Sequence, residues 1–283
     1  MRYFIVLFLL SSFPAMAVGP SMLIGGLSTR SNCLELHSNW TPQYASITQY
    51  LKLNGKTAAV ADATTIPAAV GSAGLAGNAN ASGLSYVTGQ LGQALSFDGV
   101  DDIVQLQDNI NAETTVYTVA FWMKPLGSTA AKNGVFMRGD GNNCFYNPAI
   151  YMNNSTGVLT IAETGCSGSG VLATPTISTT AWTHVAVTRN GSTLGVYVNG
   201  SPVTVTGSVG SPFGGYYTGA AMTIGAVFQQ YGLPLNSEGA GVQYPNPPQY
   251  ALQWQGLIDE VGVWSVALTS AEVLKLYNGQ VCN

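Results

Sequence analysis

Charge is what this sequence has least of. Only 8% of its 283 residues are Asp, Glu, Lys or Arg. Nine basic residues face thirteen acidic ones, for a net charge of −4. A nucleic-acid binder needs a basic stripe that displaces counterions from phosphates, so that class is excluded. Histidine is nearly missing as well: His37 and His184 are the two present. No G-x-S-x-G occurs, which removes the nucleophile-elbow hydrolases. Beyond the first few residues, no apolar run approaches the ~20 residues that a membrane-spanning helix needs. The four cysteines, Cys33, Cys144, Cys166 and Cys282, never stand two apart. A structural zinc-thiolate site, which is built on clustered spacing, is thereby excluded.

The chain begins with an export signal. Arg2 supplies the positive charge, residues 3–10 are an apolar run too short to span a bilayer, and Ala15-Met16-Ala17 is a small-residue cleavage site. Residues 1–17 are therefore read as a signal peptide, and the expected destination is extracellular, cell-surface or periplasmic. An even cysteine count in an oxidising compartment implies two disulfides. Three pairings are possible. Cys144 and Cys166 flank what reads as a local hairpin, and Cys33 and Cys282 stand near the two ends of the mature chain, so the pairs are read as Cys144–Cys166 and Cys33–Cys282. Three glycosylation sequons begin at Asn39, Asn80 and Asn153.

Glycine is abundant, at 34 residues, and apolar residues recur throughout, as in many short strands joined by turns. Residues 18–48 carry few structural signals and are read as an N-terminal extension. From Tyr50 the text is strand-like. Residues 117–123 are β-branched and aromatic on both faces and read as a central strand buried on both sides. Residues 182–188, 194–198, 203–205, 222–228 and 255–264 are further strands. Asn199-Gly200 between alternating runs signals a type I′ hairpin turn, because both residues accept positive φ. One helix is expected late in the chain. Thr269 and Glu272 form a capping box. Val273, Leu274, Leu276 and Tyr277 give the apolar face, and Gly279 ends the helix. An all-β body with one short C-terminal helix reads as a single two-sheet antiparallel sandwich or jelly roll spanning residues 49–283.

Four segments carry a family resemblance. Residues 92–102 (GQALSFDGVDD) resemble the strand–turn–strand of laminin-G-like, concanavalin A-like jelly rolls. Phe121-Trp122-Met123-Lys124-Pro125 is similar to that family's "AWVKP" strand. Residues 182–188 followed by 196–200 resemble "WHHVAVT…LYVNG". Residues 256–261 through 267–272 resemble "GLIDEVRIYNRALSAEEI". They occur in the family's order across residues 50–279. The resemblance implies a two-sheet jelly roll of the concanavalin A-like lectin/glucanase kind. It also implies a sugar- or protein-binding module, often with calcium at one rim, with some glycoside hydrolases among wider relatives.

Those hydrolases carry their carboxylates as E-x-D-x-x-E or E-x-D-x-E on one strand, and this chain has neither. Asp259 and Glu260 are adjacent and are expected on opposite strand faces. The chain is therefore read as a non-enzyme, with His184 structural. For one calcium ion, the candidates are Asp62 and Asp259. Asp62 lies where the family's "DSSGNG" loop supplies oxygens, although most of that loop's pattern is missing here. Asp259 shares its expected face with Leu257, Val261 and Val263, where an unpaired carboxylate is costly. Asp98, Asp101 and Asp102 are read as turn residues that cap backbone amides. For a ligand surface the candidates are Tyr231, Tyr244, Tyr250 and Trp254. The first three stand in the long segment 229–253, where tyrosine offers flat contact area and proline stiffens the chain. A glycan or glycoprotein partner is expected, with a lectin-like or adhesive role. The alternative is a structural or fibre-tip subunit that self-associates into homo-oligomers, with residues 18–48 pairing to a neighbour's sheet edge. A glycoside hydrolase ranks last.

Overall fold

The computed structural model describes residues 34–55, 59–61, 64–77, 83–106, 115–127, 133–138, 148–163, 171–208, 222–228 and 250–281. These residues form nineteen strands and one α-helix, preceded by a turn of 3-10 helix at Tyr44–Ser46. The first strands are β1 (Ile47–Leu51), β2 (Thr65–Ile66), β3 (Gly74–Gly77), β4 (Ser85–Thr88), β5 (Gln93–Asp98) and β6 (Ile103–Leu106). Then come β7 (Val116–Pro125), β8 (Asn133–Arg138), β9 (Ala149–Asn153), β10 (Val158–Ala162), β11 (Val171–Thr176) and β12 (Thr183–Asn190). The last are β13 (Thr193–Val198), β14 (Ser201–Pro202), β15 (Thr206–Gly207), β16 (Met222–Ile224), β17 (Val227–Phe228), β18 (Tyr250–Ala251) and β19 (Gln255–Trp264). Helix α1 is Ser270–Gln280.

Two antiparallel sheets face each other. The first runs β14-β13-β12-β7-β19-β5-β4, with β1 also paired to β19; the second runs β15-β11-β10-β9-β8-β16-β6-β3-β2. The sandwich core between them takes Phe97 and Leu95 from β5, Phe121 and Met123 from β7, and Val185 and Val187 from β12. The opposite sheet contributes Phe136, Ile150, Met152 and Ile161. Burying each such side chain contributes about 1.5–3 kcal/mol.

The doubly apolar text of β7 has a direct cause. Tyr117, Val119, Phe121 and Met123 face the sandwich core. On the other face, Ala120 joins a second cluster with Tyr50, Ala186, Trp264, Val273 and Leu276. Trp122 stacks on Tyr277 of α1, with centroids 5.6 Å apart. The helix covers the outside of the sheet, so β7 has no solvent face. The capping box is formed: Thr269 Oγ1 accepts from Glu272 N, and Thr269 N donates to Glu272 Oε2 at 2.8 Å. Leu274, expected on the buried face, is 44% exposed. Its side chain lies beside the Gly200 turn instead.

Residues 34–46 pack against this same outer layer. Leu36, Trp40 and Tyr44 lie on the second cluster, Trp264 Nε1 donates to the Pro42 carbonyl at 3.0 Å, and Leu34 N donates to the Gly279 carbonyl at 2.5 Å. The Asn199-Gly200 turn adopts positive φ at both residues, 49° and 75°, but its returning strand is the short β14 rather than 203–205. The strand expected over 222–228 is two strands, broken at Gly225. That residue has φ 89°, and a Cβ on it would lie 2.3 Å from the Phe97 ring.

Strand β19 pairs with β7 along one edge. Along the other it pairs first with β5 and then with β1. A β-bulge between Asp259 and Gly262 marks this change of partner, with Glu260 at φ 49°. Such a bulge opposes an extra residue to the partner strand and re-aims side chains.

Candidate functional site

One rim of the sandwich gathers the β5–β6 turn, the Gly225 break and the stem of segment 229–249. The turn is built from Asp98, Gly99, Val100, Asp101 and Asp102. Asp98 Oδ1 accepts from Val100 N at 2.7 Å, an Asx turn that replaces a backbone turn bond. Asp102 Oδ2 accepts from Asp98 N, also at 2.7 Å. The three aspartates each place a carboxylate oxygen within 4.8 Å of the others. Asp102 is 1% exposed and Asp101 is 7% exposed. Burial pushes the Asp102 carboxyl up to about 7, with Asp98 and Asp101 adding repulsion. Across from the turn stands Gly83. A Cβ on it would lie 2.6 Å from Asp102 Oδ1 and 2.7 Å from Asp98 Oδ2.

The turn adjoins the long segment through β19. Asp98 is the ladder partner of Gln255. Just before it, Trp254 N donates to the Gly225 carbonyl and Leu252 accepts from Gly134 N. The two-residue ladder Val227↔Ala251 and Phe228↔Tyr250 brings the ends of the segment together. Tyr231, Tyr244 and Asp62 lie outside the described residues, as do Cys33, Cys144, Cys166 and Cys282. The hairpin that Cys144 and Cys166 flank is present as β9–β10, with Ala149 opposite Ala162. Trp254 sits in the sandwich core, fully buried. It stands as a packing residue at the foot of the segment, not as an exposed platform.

Asp259 is at the other end of β5 from the acidic turn, and it does not share a face with Val261 and Val263 as expected. Val261 and Val263 face the sandwich core, whereas Asp259 pairs with Trp122 on the outer face. The bulge is the reason: Asp259 follows the core-facing Ile258 and is outward by alternation, and the bulge turns Glu260 to the same face, towards Tyr50, so the two do not oppose each other across the strand. Asp259 Oδ2 accepts from Leu91 N at 2.9 Å. Burial pushes its carboxyl well up, the Glu260 charge adds to this, and backbone amides of Leu91, Glu260 and Gln90 act against it. Tyr50 O–H donates to Glu260 Oε2 at 2.5 Å and accepts from Gln280 Nε2 at 2.7 Å. Trp122 Nε1 donates to Gln280 Oε1 at 3.1 Å. Tyr50, Glu260, Gln280 and Trp122 thus form a buried polar network that includes the last turn of α1, and both carboxylates are buried, Asp259 at 0% and Glu260 at 2% exposed. His184 is buried against the Trp122 and Tyr277 rings. Burial holds its imidazole down at about 3, so it is neutral and plays a packing role.

One charged group is invisible to pattern reading. Arg189, on β12, forms a fully buried ion pair with Glu163, and Tyr117 O–H donates to the same carboxylate. A lone arginine ending an apolar strand was its only sequence signal. The pairing crosses from one sheet to the other, and local text does not contain that.

The sequence has no match among curated proteins. Solved structures share the fold. Domain 4 of AbnA, a GH43 extracellular arabinanase from Geobacillus stearothermophilus determined in complex with arabinotriose, aligns with a TM-score of 0.55 and 20% identity. The alignment covers 82% of this chain and 98% of that domain. Trypanosoma rangeli sialidase, determined with 2,3-difluorosialic acid, aligns with a TM-score of 0.57 and 13% identity over 88% of this chain and 36% of its own. Botulinum neurotoxin type C, described as entering cells through two ganglioside molecules, aligns with a TM-score of 0.54 and 11% identity over 83% and 52%. This chain thus spans about a third of the sialidase chain and half of the toxin chain, and at these identities the likeness is one of fold. The family model for the concanavalin A-like lectin/glucanases matches residues 97–274, and the chain belongs to that superfamily.

Proposed function

We propose that the chain is an exported glycan- or glycoprotein-binding module that carries out no chemistry of its own, and that its ligand surface is built on segment 229–253. The observation that carries this reading is the Phe228↔Tyr250 ladder. It pairs the residues that flank a long tyrosine- and proline-rich segment, at one rim of a lectin-type sandwich. Long surface loops on rigid scaffolds are where binding residues concentrate. Tyrosine rings stack on sugar faces at little entropic cost. The fold shared with an arabinanase domain seen with arabinotriose supports a saccharide as the ligand class. The burial of Asp259 and Glu260 supports binding without hydrolysis by this pair, because a glycosidase needs two carboxylates flanking a reachable bond.

The test is a glycan array with purified residues 18–283, with Tyr231→Ala and Tyr244→Ala as variants. Binding to one glycan class that is lost in both folded variants supports the site. Binding that survives in both places the ligand elsewhere. Release of reducing sugar from a bound glycan would replace the binding reading with a hydrolase. Export is tested separately, by N-terminal sequencing of the processed protein, which should begin at Val18.

Self-assembly through the N-terminal arm is less favoured. The described part of the arm, residues 34–46, is docked on its own outer layer. Among the strands that end the two sheets, β2, β14 and β15 are two residues long and β4 is four, and short edges discourage strand addition. A light-scattering mass above one chain, lost on removing residues 18–33, would restore that reading.

A further inference from the structure

We propose that residues 34–43 are a strap that leaves the outer layer as a unit, and that the groove it vacates, between α1 and β19, takes the same segment back, from its own chain or from a second copy. The strap is self-contained. Trp40 N and Thr41 N donate to the His37 carbonyl, His37 N donates to Thr41 Oγ1, and Asn39 N donates to His37 Nδ1. Trp40 Nε1 donates to the Glu35 carbonyl at 2.6 Å. None of these residues belongs to a strand, so the strap can lift without breaking a sheet ladder. Segments outside the ladders open at lower cost than the core. A hinge stands at its end. Gln43 is left-handed, at φ 48° and ψ 41°, a conformation that a non-glycine residue keeps only while its surroundings enforce it. Beyond Gln43 the chain is anchored again, where Ser265 N donates to the Ser46 carbonyl at 2.9 Å.

The groove matches this one segment. Leu36 and Trp40 pack on the cluster that holds Trp264, Val273 and Leu276. On the floor, Trp264 Nε1 donates to the Pro42 carbonyl at 3.0 Å. On the α1 wall, Gln43 Nε2 donates to Glu272 Oε1 at 2.6 Å and Leu34 N donates to the Gly279 carbonyl at 2.5 Å. Lys52 pairs with Glu35 at 3.0 Å. Gly279 sets the specificity. It lies inside α1, which runs on to Gln280, and it is not left-handed. The backbone therefore does not require glycine there, and glycine is a poor helix former. A Cβ on Gly279 would overlap the Trp40 ring, so the glycine is a notch for that ring. The occupant is accordingly a segment that carries an aromatic ring four residues after an aliphatic side chain, as Leu36 and Trp40 do. While each copy's own strap fills its groove, the copies stay apart. Exchange between copies is a low-cost route to association once the strap has left. The proposal is independent of the glycan reading, since it concerns the outer face of the other sheet edge and no saccharide.

The test is amide hydrogen exchange on residues 18–283, together with fluorescence anisotropy of a labelled peptide of residues 34–43. Reductant is present throughout, because Cys33 directly precedes the strap. The variants are Trp40→Ala and Gly279→Ala, each checked for folding by circular dichroism, with Leu36→Ala in place of Trp40→Ala if that chain does not fold. In the wild-type chain the amides of His37, Trp40 and Thr41 should exchange together, roughly tenfold or more faster than those of β7 and β12. Trp40→Ala should speed the strap amides by roughly tenfold again, leave β7 and β12 unchanged, and bind the peptide more tightly than wild type does. Gly279→Ala should also speed the strap amides, although alanine is the better helix former, and it should not bind the peptide. The proposal is overturned if the strap amides exchange in step with the sandwich core, or if the folded Trp40→Ala or Leu36→Ala chain does not bind the peptide. It is also overturned if Gly279→Ala leaves strap exchange unchanged or slows it.

Discussion

Replacing Glu260 by Gln should stabilise this protein at neutral pH and leave it unchanged in acid. Glu260 is 2% exposed. Burial raises its carboxyl from 4.5 to about 7, against the opposing effects of the Tyr50 hydrogen bond and the Lys52 charge. Below about pH 4.5 the group is protonated in both the folded and the unfolded chain, so it costs nothing. As the pH rises, the unfolded chain ionises first and stability falls; the loss is complete once the pH exceeds the folded value near 7. The displacement from 4.5 to about 7, at about 1.4 kcal/mol per factor of ten, amounts to about 3 kcal/mol. Gln cannot ionise, keeps the volume, and still accepts from Tyr50 O–H. Urea unfolding of wild type and Glu260→Gln from pH 4 to 8 should show curves that coincide in acid and separate by about 3 kcal/mol at pH 8, or roughly 6–12 °C in Tm. A difference that stays constant over the whole range would refute the reasoning, since it would mean that burial does not penalise this charge.

Arg189→Met should cost about 3–5 kcal/mol in urea denaturation, because it leaves the buried Glu163 charge without its cation. Adding Glu163→Gln should recover part of that loss, and no recovery would mean that the cost is one of packing. Thr269→Ala removes the hydroxyl of the capping box and should lower stability by about 1 kcal/mol, seen as a fall in Tm with the β signal intact. The hydrogen bond between Leu34 N and the Gly279 carbonyl brings the chain beside Cys33 to the chain beside Cys282. Non-reducing peptide mapping should therefore recover a Cys33–Cys282 peptide, and reduction should cost roughly 5 kcal/mol in the chain-entropy model. Free thiols at both positions would end that reading.

The strands read most accurately are those whose burial is uniform. Residues 117–123 could be recognised as a central strand because both faces are apolar, and β19 and the capping box were legible from local pattern alone. Misreadings came where a tertiary neighbour changed the local rule. Gly225 breaks an expected strand because Phe97 occupies the space beside it. Leu274 has the right period but not the right neighbour. Asp259 would share a face with Val261 and Val263 only in an unbulged strand.

The candidate site divides in the same way. Three aspartates within five residues are plain in the text, and so is an overlong segment rich in tyrosine and proline. The sequence by itself determined the class of fold, the late helix and the poverty of charge, because each rests on short-range period or composition. Only the tertiary structure decided that Gly83, fifteen residues before Asp98, faces the acidic turn. It likewise decided that Trp254 belongs to the core, that Asp259 and Glu260 share one outer face, and that Glu163 meets Arg189 across the sandwich. These are contacts between residues far apart in the chain or across a bulge, and they follow from how the sheets close on each other rather than from any local preference.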